Sequence, residues 1–191
     1  MPQILPTWHE VILGTWKIIE LISYEVQIGE KRKMFERARH PPWVRVIVFD
    51  EKAQKILLSR EYRLEQGKYD YRLPGGKVID TIAEMRAFEG DIFEEATLAA
   101  IREAREEVGI RIDSLELLQV SHCGASIEWD LYYFVATAFA DTWEYDRDDE
   151  GEADISTDWY SFEEVREKIM CDEMSEDRSI AVILKWMMRR D

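Results

Sequence analysis

Apolar positions along the chain follow two periods. Residues 15–28 (TWKIIELISYEVQI) are β-branched and aromatic with partial alternation, which predicts a strand, and Gly29-Glu30-Lys31 predicts a hairpin turn after it. Pro41-Pro42 is a stiff break. Beyond it, 43–49 is the near-continuous apolar run of a buried strand; 50–53 is a turn and 55–59 a second strand of the same hairpin. Residues 67–73 read as an irregular approach to Leu73-Pro74-Gly75-Gly76. The period then becomes helical. A short helix is expected over 81–88, and a longer one begins at Asp91, with Glu94 placed three residues on as in a capping box. Phe93, Ala96, Ala100, Ala104 and Val108 form its apolar face, and Gly109 is a natural stop. Strands are expected over 115–121, 129–139 and 155–160. Ser161 with Glu164 starts a helix, and a final amphipathic helix covers 176–190 with Ile180, Ile183, Leu184, Met187 and Met188 inward. This order predicts an α/β (α+β) fold with a mixed sheet between helices.

Composition narrows the function classes. At 191 residues, the length predicts one domain with a small appendage, here 1–40 ahead of 41–191. The net charge of -15 repels nucleic-acid backbones and anionic membrane surfaces, so neither is an expected partner. Small phosphorylated ligands remain open, because a divalent cation can bridge two sets of anions. Cys123 and Cys171 lie far apart, with no metal-ligand spacing, and Cys123 lacks an identifiable base, so it reads as structural. No apolar run reaches a membrane-spanning length and no leader pattern is present, so the expectation is a cytoplasmic protein.

Candidate chemistry concentrates in Arg102-Glu103-Ala104-Arg105-Glu106-Glu107-Val108-Gly109-Ile110. At about 100° per residue, Glu103 and Glu107 stand about 40° apart beside the apolar face, and Glu106 about 60° from Glu103. Carboxylates one turn apart on a rigid element suit magnesium or manganese. A charged helix run alone is ordinarily a solvated face. The glycine pair ahead of it changes that weight, since Gly75-Gly76 permits close backbone approach to a phosphate or metal.

Together these residues resemble the Nudix hydrolase signature, G-x5-E-x7-R-E-U-x-E-E-x-G-U with U a bulky apolar residue. Glu94 and Arg102 to Ile110 match its second half in register; Leu73-Pro74-Gly75-Gly76 resembles its entry. Residues 77–93 replace the five residues expected between Gly76 and Glu94, a twelve-residue insertion. The stretch 43–63 resembles the strand pair that precedes the motif in ADP-ribose and ADP-sugar pyrophosphatases.

The resemblance implies a Nudix-type α/β/α sandwich with a small N-terminal β subdomain. It also implies cleavage of a nucleoside diphosphate linked to another moiety, such as a nucleotide sugar, with Mg2+ (or Mn2+) as cofactor. By the same resemblance Glu103, Glu106 and Glu107 are metal ligands with a backbone carbonyl at Gly76, Glu106 assists catalysis and Arg102 orients the glutamates. Arg63, Arg72, Gly75 and Gly76 are substrate-binding candidates, with Arg60 beside them. Glu128 is the first candidate for general base, Glu150 and Glu152 the alternatives. Trp43 or Trp129 could stack on a base, although strand aromatics are more often core. Two features point away from ADP-ribose in particular: no proline follows Pro74, and the entry reads Arg-Leu-Pro-Gly-Gly. The N-terminal strands imply a homodimer with 16–28 in its interface. The competing reading is a catalytically inactive Nudix-fold nucleotide-binding regulator, and the three intact glutamates favour the enzyme.

Overall fold

Three N-terminal strands precede the Pro41-Pro42 break in the computed structural model, which describes residues 4–141 and 155–190. They are β1 (Ile4–Thr15), β2 (Glu20–Ile28) and β3 (Lys31–Arg39). The single strand expected over 15–28 is therefore corrected. The Trp16 N–H donates to the Ile19 carbonyl at 2.8 Å, closing a turn between β1 and β2. No proline, glycine or asparagine marks that turn, so composition alone hid it.

The main sheet begins with β4 (Trp43–Asp50), β5 (Lys55–Arg63) and β6 (Lys68–Arg72). β6 corrects the irregular approach expected over 67–73. Gly67, at φ 66°, turns the chain, and Ser59 to Arg63 pair with Arg72 to Lys68. Helices α1 (Ile82–Ala87) and α2 (Ile92–Val108) follow, then β7 (Ile110–Ser121), β8 (Ile127–Glu128) and β9 (Leu131–Asp141). β10 (Ser156–Ser161), α3 (Phe162–Met170) and α4 (Asp177–Met187) complete the described chain. The six-stranded sheet runs β10-β5-β4-β9-β7 with β6 on β5; a four-stranded sheet runs β1-β2-β3-β8. β4 and β9 are parallel and their other neighbours antiparallel, so the sheet is mixed as expected.

β4 is buried on both faces and shows how the layers meet. Val44, Val46 and Val48 pack toward α2, whose Ala96, Ala99, Ala100 and Ala104 allow close approach to the sheet. Ile47 and Phe49 point the other way, onto α3 and α4 through Val165, Val182, Ile183 and Trp186. This is the two-sided apolar burial that a parallel pair requires. Gly109, at φ 66°, ends α2 in the left-handed region. Asp91 caps α2 by accepting from the Phe93 N–H, while full reciprocal boxes form at Thr81/Glu84 and Ser161/Glu164. Two inward expectations are corrected. Phe93 sits in the exposed first turn, and α4 stops at Met187, leaving Met188 75% exposed on the terminal turn.

The inserted segment docks on the N-terminal sheet. Ile82 donates its N–H to the Lys17 carbonyl at 2.9 Å. Arg86 pairs with the fully buried Glu20, which also accepts from Thr15 at 2.9 Å and Arg39 at 3.3 Å. Strands β1 and β3 of that sheet carry the exposed apolar side chains Val11, Ile12, Leu13, Met34 and Phe35, and Trp16 is exposed in the turn after β1.

Candidate active site

A cleft of about 660 Å³ opens between the ends of β5 and β6, the loop 73–80, and one face of α2. The loop is stitched to β4 like a short extra strand. Val46 donates to the Pro74 carbonyl at 2.9 Å and Val44 to the Gly76 carbonyl at 2.8 Å. The two glycines leave room for different neighbours, backbone at Gly75 and a side chain at Gly76. Gly75 has φ +145°, and a Cβ there would fall 2.2 Å from the Val44 carbonyl oxygen. A Cβ on Gly76 would fall 2.3 Å from Oε2 of Glu103.

Helix α2 clamps this loop with its last two turns. Gly75 donates its N–H to Oε2 of Glu107 at 2.8 Å. Arg102 donates from one Nη to the Lys77 carbonyl at 2.9 Å and to Oε1 of Glu103 at 3.1 Å, and its Nε stands 3.9 Å from Glu106. Arg102 therefore ties the loop to the helix while orienting Glu103. Arg63 and Arg72 face the same cleft from β5 and β6. Arg63 is paired with Glu61 and Glu65, and Arg72 with the buried Asp70 at 2.7 Å. Burial opposes the charge on Arg63, but the glutamates outweigh it and hold its pKa above the ordinary value.

The structure thus brings Arg63, Arg72, Gly75, Gly76, Arg102, Glu103, Glu106 and Glu107 to one cavity. Glu128 stands elsewhere. Its carboxylate accepts from Arg37 at 2.9 Å and Arg39 at 2.8 Å, on a neighbouring cavity of about 570 Å³. Ile79 and Phe88 of the insertion line both cavities. Glu150 and Glu152 lie outside the described residues. Glu95, rather than the exposed Glu94, reaches the cleft. Trp43 lines the cleft, whereas Trp129 packs edge-on against it with Arg178 over its ring at 4.2 Å. The Arg60 guanidinium lies over the Tyr69 ring, 3.8 Å from its centre.

Sequence reasoning missed several cleft residues. Glu61 shares a strand face with Ser59 and Arg63, so strand alternation could have found it. Arg45 also reaches the cleft and is 3% exposed. Glu84 comes from the insertion, where no spacing rule applied.

Among the described residues, no three acidic, histidine or cysteine side chains form a complete metal cage. The donor set nevertheless fits a hard cation that keeps several waters: Glu103 and Glu107 flank the glycine pair, and Glu106 lies at the rim. The Gly75 carbonyl accepts from Arg45 and the Gly76 carbonyl from Val44, each retaining a second lone pair.

A search of curated proteins returns no match. Among solved structures, one described as an ADP compounds hydrolase superposes with a TM-score of 0.70 at 19% identity, covering 99% of this chain and 95% of that one. At that identity the likeness establishes the fold, including the N-terminal sheet. The NUDIX domain model matches residues 39–181, from the end of β3 into α4 and across the whole cleft. The chain belongs to the NUDIX domain family.

Proposed function

We propose that this protein is a metal-dependent Nudix pyrophosphohydrolase, cleaving a nucleoside diphosphate joined to a second moiety, with a nucleotide sugar as the first substrate class. The observation that carries this reading is the closure of α2 on the glycine loop, with Glu107 on the Gly75 amide and Glu103 against Gly76. A loop pinned only for stability would not need two carboxylates turned into a cleft. The relative of like fold, described as acting on ADP compounds, makes ADP derivatives the natural first panel.

A divalent cation such as Mg2+ held by Glu103 and Glu107, with Glu106 assisting, supplies neutralisation of the diphosphate and a lowered pKa for nearby water. The protein's own groups do the rest. Arg63 and Arg72 face the cleft with guanidinium groups suited to phosphate oxygens, and their acidic partners hold them in place. Arg102 fixes the rotamer of Glu103. Glu106, at the rim of the cleft with a side chain 39% exposed, is the helix carboxylate most open to water and takes the general-base role in this reading. Glu128 is engaged by two arginines beyond Phe88, so the general-base role passes to Glu106 in this proposal.

We further propose a homodimer through the N-terminal sheet, supported by the exposed Val11, Ile12, Leu13 and Phe35 on one small sheet. Among the described residues no helix is long and apolar enough to cross a membrane. The deciding experiment incubates the protein with ADP-ribose, other nucleoside diphosphate sugars and dinucleoside diphosphates, with Mg2+, Mn2+ or chelator. Nucleoside monophosphate release that chelator abolishes is expected. Tight nucleotide binding without turnover under every condition would overturn the enzymatic reading and leave a binding module.

A further inference from the structure

Position 45 breaks the pattern of its strand. It lies in the row of β4 occupied by Ile47 and Phe49, yet it is an arginine with 3% exposure. Its Nε donates to Oε2 of Glu176 at 3.0 Å, and one Nη donates to the Gly75 carbonyl at 2.7 Å and the Val44 carbonyl at 3.2 Å. Glu176 is the N-cap residue of α4 but makes no side-chain cap bond to its own helix. Its carboxylate accepts instead from Arg45 and from the Ser179 hydroxyl at 2.7 Å, and Ser179 lies 3.0 Å from the Tyr133 hydroxyl.

Stability alone gives no reason for this pair. Replacing a buried ion pair with well-packed apolar residues is often neutral or stabilising, and the same row of β4 shows such residues fit here. The Gly75 peptide does need an external hold. Its positive φ comes from a residue with wide backbone freedom, and nothing on its own side chain can fix it. Arg45 grips the carbonyl of Gly75, while the N–H of the same residue meets Glu107.

We propose that Arg45, held by Glu176, is a positioning residue that locks the orientation of the glycine loop and thereby aims the Glu107 carboxylate for cation binding. The inference rests on the reading of the cleft as a divalent-cation site. It extends that site through the sheet to the start of α4, on the opposite layer of the sandwich.

The test compares wild type with the R45M/E176M double variant, and with E176Q, which keeps the acceptor's shape. Three measurements are made: Tm, Mn2+ affinity by electron paramagnetic resonance of the free ion, and hydrogen exchange at the Gly75 amide in metal-free protein. The expected result is a double variant as thermostable as wild type, about tenfold or more weaker in Mn2+ affinity, with faster Gly75 exchange. Wild-type Mn2+ affinity and wild-type Gly75 protection in the double variant would overturn the proposal. If the double variant does not fold, E176Q decides: weaker Mn2+ affinity and faster Gly75 exchange at native secondary structure support it, and unchanged values overturn it. A wild-type protein that binds no Mn2+ would sink the cation-site reading itself, and with it the functional part of this proposal. The Gly75 exchange rate, which needs no metal, would still report separately whether Arg45 holds the loop.

Discussion

The carboxylate of Glu103 occupies the place where a side chain at position 76 would stand, 2.3 Å from the position of a Cβ on Gly76. The obstacle is the free end of a flexible side chain rather than backbone, so G76A can fold by pushing Glu103 aside. The expected outcome is a small loss of Tm with a loss of turnover of about 100-fold. A variant that keeps full activity would show that Glu103 does not work from this position.

Gly75 presents the opposite case. A Cβ there meets the Val44 carbonyl oxygen at 2.2 Å, and φ is +145°. G75A should lose about 2 kcal/mol or more of stability, lowering Tm by roughly 4–8 °C. Thermal melts of the two alanine variants side by side check both: position 75 should cost stability first, and position 76 activity first.

Glu107→Gln removes charge without volume and leaves an oxygen able to accept from the Gly75 N–H. Turnover should fall by at least about two orders of magnitude while the melting curve stays close to wild type. Steady-state kinetics across a Mn2+ series would check it, and wild-type turnover would remove Glu107 from the ligand set.

Acid should weaken the Arg45–Glu176 link. Burial alone would raise the pKa of Glu176, but the Arg45 charge and the hydrogen bonds from Ser179 and Arg45 outweigh it, so the folded value lies below the ordinary one. The stability this confers is present above about pH 4.5 and disappears as pH falls through the folded value. The Tm of wild type relative to R45M/E176M should therefore drop between about pH 5 and pH 3. A constant difference over that window would contradict the linkage.

Assembly can be read by light scattering at near-physiological salt. The expected mass is about twice 22.6 kDa, and V11E or L13E at the exposed apolar positions of β1 should return it to the single-chain value. A single-chain mass for wild type across micromolar concentrations would remove the dimer.

The parts of the fold that were legible in sequence are those fixed by neighbours along the chain. Ala96, Ala100, Ala104 and Val108 repeat at helical spacing and Gly109 stops them, so α2 and its row of glutamates could be placed by rotation alone. That Glu103 and Glu107 share one helix face follows from that geometry, whereas their place beside the glycine pair was implied by the resemblance to the Nudix signature. What escaped depends on distant partners. Arg45 sits inside an apolar run, and the carboxylate that explains it is 131 residues away. Glu128 looked available at a strand end until β3 supplied two arginines from about 90 residues upstream. The Tyr-Asp-Tyr alternation of β6 was masked by its polar flanks.

The docking of the inserted helix has an evolutionary consequence. Arg86 and Glu20 belong to segments that ordinary reasoning would treat as separable, an insertion and an N-terminal appendage. Yet one supplies the counter-charge that the other buries. A lineage that lost the insertion would leave Arg39, at 3.3 Å, as the cation paired with Glu20, and would remove one of the two positive charges that offset its burial. Positions 20 and 86 should therefore covary.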